Sequence, residues 1–124
     1  MVTRIILWVL LSGIGIYFIS LPDTGPRLIT FSKAHGPGIV DSLGILLVIL
    51  GWLILVLGIW GSRKEILQYK GSKTFSAVLI IIGLANGMIF ASVFSDFTLW
   101  WAVGIVILLL VHLWCISIIL RRVK

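Results

Sequence analysis

The side chains able to do chemistry fall into three small groups. The first is Lys33, His35, Asp41 and Asp96, an imidazole that titrates near neutral pH with two carboxylates and an ammonium. Together they would form a polar cluster at the outer face, suited to a headgroup, a cation or a partner loop. Asp41 also has a purely structural reading. Pro37 and Gly38 suit a helix start. With Gly38 as N-cap, Asp41 is the third helical residue, where its carboxylate favours the exposed N–H groups and the helix dipole. The second group is Asn86 and His112, polar residues within apolar runs. Such residues are functional candidates by default. Here they read as an interhelical hydrogen bond of about 0.6 kcal/mol, or as one step of a proton or substrate path.

The third group is His112 with Cys115, which share a helix face at i, i+3 spacing. Zinc usually takes three or four protein ligands, and no other cysteine or acidic cluster joins these two. A paired-histidine haem needs a second buried histidine, and thiol redox needs a second cysteine. A nucleophile needs an oriented base, and no acid is placed to orient His112. Asp23, Asp41, Glu65 and Asp96 are the only acids. They fall in loops or at helix ends, so paired-carboxylate chemistry could use only Asp41 and Asp96, with Asp23 a weak third. No catalytic residue, no metal and no cofactor are expected.

The elements that must position these residues follow from composition. The chain has 124 residues, of which 60% are hydrophobic and 11% charged, and a mean hydropathy of +1.24. Soluble domains carry roughly a quarter charged residues. A soluble fold, a disordered tail and a disulfide scaffold are excluded. A spanning helix needs about 20 apolar residues, and four runs qualify: about 5–21, 39–60, 74–94 and 100–120. They are too long and unbroken for barrel strands, and helices satisfy their own backbone hydrogen bonds in lipid. The expected fold is a single all-α domain, a four-transmembrane-helix bundle. Helix 1 is expected to be a retained span rather than a cleaved signal, since no small-x-small site precedes the polar stretch.

Lys and Arg set the expected orientation. Arg4, Arg63, Lys64, Lys70, Lys73, Arg121, Arg122 and Lys124 share one side of a four-span threading, against Arg27 and Lys33 on the other. The positive-inside rule puts both termini in the cytoplasm, in a multi-pass protein of the plasma membrane. The net charge of +6 is this asymmetry, not a nucleic-acid footprint.

The outer loop, 22–38, contains all three prolines and cannot be helical throughout. Within it, Leu21-Pro22-Asp23-Thr24-Gly25 resembles the sortase sorting signal. That signal stands before one hydrophobic segment near a C-terminus, whereas three spans follow here; Pro22 as a helix stop and Asp23-Thr24-Gly25 as a turn explain the residues. The basic loop, 61–73, places Ile66, Leu67 and Tyr69 among cations. It reads as a solvated cytoplasmic connector, or as a short amphipathic turn on anionic lipid, with Arg63, Lys64, Lys70, Lys73, Arg121, Arg122 and Lys124 as the contacts. Ser95 and Asp96 are natural N-cap residues for helix 4, ahead of interfacial Trp100 and Trp101.

Glycines mark the expected packing seams. Gly83, Gly87, Ala91 and Ser95 make a small-xxx-small stripe on helix 3, which permits close backbone approach. Gly44, Gly51 and Gly58 recur every seven residues on helix 2, which keeps one seam toward a left-handed partner. Helix 1 carries Ser12, Gly13 and Gly15. These seams would close the bundle, or one of them would dock another chain.

Span number and length resemble the small multidrug resistance family, whose members are dimeric exporters. Its membrane-embedded acidic residue in helix 1 has no counterpart between residues 5 and 21, and the basic bias argues against dual topology. The family's function is therefore not carried over. The sequence reads best as a non-catalytic accessory or structural subunit of a larger membrane complex. Its partners would be the lipid bilayer and other membrane chains, with no nucleic acid. A small oligomeric transporter or channel for a solute, ion or lipid is the alternative, and a membrane-embedded enzyme the second alternative.

Overall fold

In the computed structural model, residues 1–22, 37–94 and 99–122 are described, without the side chains of 93, 94 and 122. They form α1 (Val2–Ser20), α2 (Ile39–Gly61), α3 (Arg63–Phe94) and α4 (Trp100–Arg122). All four are long and apolar enough to cross a membrane. Among the described residues the regular structure is thus all helical, with the element set of a multi-pass membrane protein. Its residues group into two compact units, Met1–Trp60 and Gly61–Lys124.

In the first unit, α1 begins at Val2, before the apolar run itself, because Thr3 and Arg4 continue the helix. It stops where Pro22 requires. The residue before a proline is pushed out of the helical region, and Leu21 is extended (φ −74°, ψ 144°) while its N–H still reaches the Phe18 carbonyl at 3.1 Å. Helix α2 starts at Ile39, and the Ser42 N–H donates to the Gly38 carbonyl at 3.0 Å. Its buried residues are Gly44, Gly51, Leu55, Gly58 and Ile59.

The two helices are tied at the far end by Arg4. Its Nη1 donates to the Leu57 carbonyl at 3.2 Å, in the last turns of α2, where a cation complements the helix dipole. Replacing Arg4 with Gln should lower stability by about 0.3–1 kcal/mol, read as a lower thermal midpoint in detergent. An unchanged midpoint would show that the guanidinium adds nothing there.

In the second unit, α3 runs from Arg63 instead of from near Thr74, so the basic segment 61–73 is largely helical. The local chemistry explains this. Arg, Lys, Glu, Leu and Gln are strong helix formers. Ser62-Arg63-Lys64-Glu65 has the capping-box pattern, with an acid in the first turn. The N–H groups of Glu65 and Ile66 both donate to the Ser62 carbonyl, at 3.1 and 3.4 Å. The helix is not continuous. Gly71 has φ 81° and ψ 165°, a conformation that glycine alone adopts cheaply. It separates a basic helix, 63–70, from the apolar one, 72–94. The core of this unit contains Ile66, Val78, Ala85, Leu108, Cys115, Ile116, Ile118 and Ile119. Ile66 and Ala85 are wholly buried.

Candidate functional site

Of the outer cluster, Lys33, His35 and Asp96 lie outside the described residues. Asp41 is half-buried in the first turn of α2, third in the helix after Gly38. A carboxylate in that turn is favoured by the partial positive charge of the helix start.

The intramembrane polar residues both turn back on their own helices. Asn86 Nδ2 donates to the Ile82 carbonyl at 2.8 Å. His112 Nδ1 is hydrogen-bonded to the Leu108 carbonyl. A carbonyl can only accept, so this bond places a proton on Nδ1. His112 is buried, and Cys115, one turn along, is a buried free thiol. The register of the α3–α4 hairpin is set where Gly104 meets Ala85 and Ile89. At about 1.5 Å per residue, His112 lies roughly 10 Å along the hairpin from the level of Asn86. The packing therefore does not bring these two side chains to one depth. Among the described residues, no three of His, Cys, Asp and Glu are grouped closely enough to hold a metal.

The glycines divide sharply. Gly44, Gly51 and Gly58 are buried along one seam of α2, facing α1. A Cβ added at Gly44 would lie 2.6 Å from the Gly15 carbonyl oxygen, and one at Gly15 would lie 2.6 Å from that of Gly44. At Gly51 it would meet Leu11 Cβ at 3.1 Å and the Trp8 carbonyl at 3.2 Å; at Gly58 it would meet Arg4 Cδ at 2.9 Å. The seven-residue repeat is thus an α1 docking groove inside the first unit.

In the second unit the close approach is made by Gly104, whose added Cβ would fall 2.6 Å from the Ala85 carbonyl oxygen. Sequence reasoning passed over Gly104, although it is the one glycine in an otherwise bulky α4. By contrast, a Cβ at Gly83 or Gly87 would meet no described residue of the second unit within 4 Å. Both are exposed, as is Ala91. Helix α4 packs on the neighbouring stripe through Ala85 and Ile89 and leaves these glycines uncovered.

The basic residues of the second unit collect at one end of its hairpin, where α3 begins and α4 finishes. Lys64, Lys70, Lys73 and Arg121 are exposed and Arg63 is half-buried. The Lys70 ammonium lies 4.9 Å from the centroid of the Tyr69 ring. The Arg122 side chain and Lys124 lie outside the described residues. Compared with protein-family models, curated proteins and solved structures, the chain matches none.

Proposed function

We propose that this chain is a non-catalytic accessory or structural subunit of a larger membrane complex. It would sit in the plasma membrane as a four-helix bundle with both termini in the cytoplasm, as the sorting of its basic residues favours. The observation that carries the reading is the contrast between the two kinds of glycine. A glycine inside a helix costs about 1 kcal/mol relative to alanine. At Gly15, Gly44, Gly51, Gly58 and Gly104 that cost is offset by close helix contact. At Gly83 and Gly87, by contrast, α4 does not come within 4 Å of an added Cβ. In lipid, such a small-residue stripe stabilises by admitting another backbone, and a helix of a partner chain is the occupant this reading assigns.

Purification in a gentle detergent should recover a partner in fixed stoichiometry. The double replacement of Gly83 and Gly87 with Leu should remove that partner while leaving the chain's own thermal midpoint unchanged or higher, since leucine is the better helix former. A monodisperse chain that carries solute flux in liposomes unaided would overturn the proposal in favour of a transporter.

A further inference from the structure

The helix 63–70 takes no part in the partner docking proposed above, and three features give it a role of its own. It is helical and anchored at one point: Ile66 is fully buried and Leu67 half-buried, while Lys64, Gln68, Tyr69 and Lys70 are exposed. It carries Arg63, Lys64 and Lys70, with Lys73 just beyond, against the single acid Glu65. That acid lies in the helix's first turn, where the dipole favours it. It joins directly onto a span through Gly71, whose φ of 81° breaks the helix and frees the short segment from the direction of the span.

A basic helix joined to the end of a span stands at the headgroup level. There, exposed lysines meet lipid phosphates, and a tyrosine suits the interface. The Lys70 ammonium over the Tyr69 ring keeps one cation beside an interfacial aromatic. Arg121 brings a further exposed cation to the same end of the hairpin. The geometry points to an anionic-lipid docking surface: the helix 63–70, with Lys73 and Arg121, lies against a leaflet rich in acidic phospholipid and binds its headgroups. This inference concerns the second unit alone and holds with or without a partner chain.

Each near-surface basic residue strengthens attraction to an anionic leaflet by about fivefold. The full chain, extracted from vesicles of mixed phosphatidylcholine and phosphatidylglycerol, should therefore retain phosphatidylglycerol with at least about tenfold enrichment in native mass spectra. Combining Lys64→Gln, Lys70→Gln and Lys73→Gln should bring the retained lipid close to the bulk ratio. The corresponding three Lys→Arg replacements should preserve the enrichment. Gln68→Lys, which adds a charge on the exposed face, should raise it by about fivefold. That gain reads the surface in a variant that removes nothing. Retained lipid that mirrors the bulk mixture in the unmodified chain would overturn the inference. So would a Gln68→Lys chain with no gain, or displacement of the lipid by millimolar inorganic phosphate, which would indicate a site for the free anion.

Discussion

Replacing Gly15 with alanine should destabilise the α1–α2 hairpin by about 1–3 kcal/mol, the range for overpacking a filled contact. The new Cβ would lie 2.6 Å from the Gly44 carbonyl oxygen, 2.7 Å from Val48 Cγ2 and 3.0 Å from the Val48 backbone nitrogen. Two of these are backbone atoms, which no rotamer change can move aside. Alanine's better helix propensity, about 1 kcal/mol, works in the opposite direction but does not relieve the clash. Gly44→Ala should behave alike, because its added Cβ meets Gly15 and Ile19 at the same distances, 2.6, 2.7 and 3.0 Å. The two sites share one contact, so their effects should not add. Once either methyl has separated the helices, the second has room, and the double variant should fall short of the sum by about 0.5 kcal/mol or more. Equilibrium unfolding of the four members of this cycle in one detergent is the measurement. Strict additivity, or a stabilised Gly15→Ala chain, would show that the helices do not meet there.

Gly104→Ala is expected to have a comparable effect on the α3–α4 hairpin, with a different response to rescue. Its Cβ would stand 2.6 Å from the Ala85 carbonyl oxygen and 2.8 Å from Ile89 Cγ1. The isoleucine can yield; the carbonyl of a wholly buried helical residue cannot. A loss of about 1–3 kcal/mol follows, and Ile89→Ala in the same chain should recover only part of it. Gly83→Ala, with open space around it, should be neutral or more stable by up to about 1 kcal/mol. Thermal midpoints of the three variants give the ranking. Complete rescue by Ile89→Ala would mean that the backbones are farther apart than the contact at Gly104 indicates.

The helical class and the four spans were legible because apolar runs of this length admit no other state in lipid. Helix boundaries were less so. Hydropathy marks where lipid begins, whereas a helix continues wherever its backbone bonds do, as at Thr3 and Arg4. The helix 63–70 shows this most clearly. Its charges read as a solvated connector or a short turn on anionic lipid, while Ser62-x-x-Glu65 and a run of strong helix formers carried the signal for a helix. The glycine repeat of α2 was legible as a seam because its period is seven, but period names a face and not a neighbour. In α3 two stripes had four-residue spacing. The smaller one, at Gly83 and Gly87, drew the packing expectation, yet α4 took Ala85 and Ile89 because its own Gly104 supplied the close approach. The contact that formed has a small residue on each side, Gly104 and Ala85. Asn86 and His112 were correctly noticed as polar, but a helix interior offers each a carbonyl four residues back.

The break at Gly71 also bears on how the chain fits membranes of different thickness. As one rod, the 32 residues of α3 would reach roughly 48 Å, far beyond a hydrocarbon layer of about 30 Å. It could be accommodated only by steep tilt or local thickening. Divided at Gly71, the part that must match the bilayer is 72–94, roughly 35 Å long. A modest tilt suffices for that length. Where the bilayer thins or thickens, the apolar helix can lean while the joint takes up the change in angle. The basic segment can then stay in the plane of the headgroups.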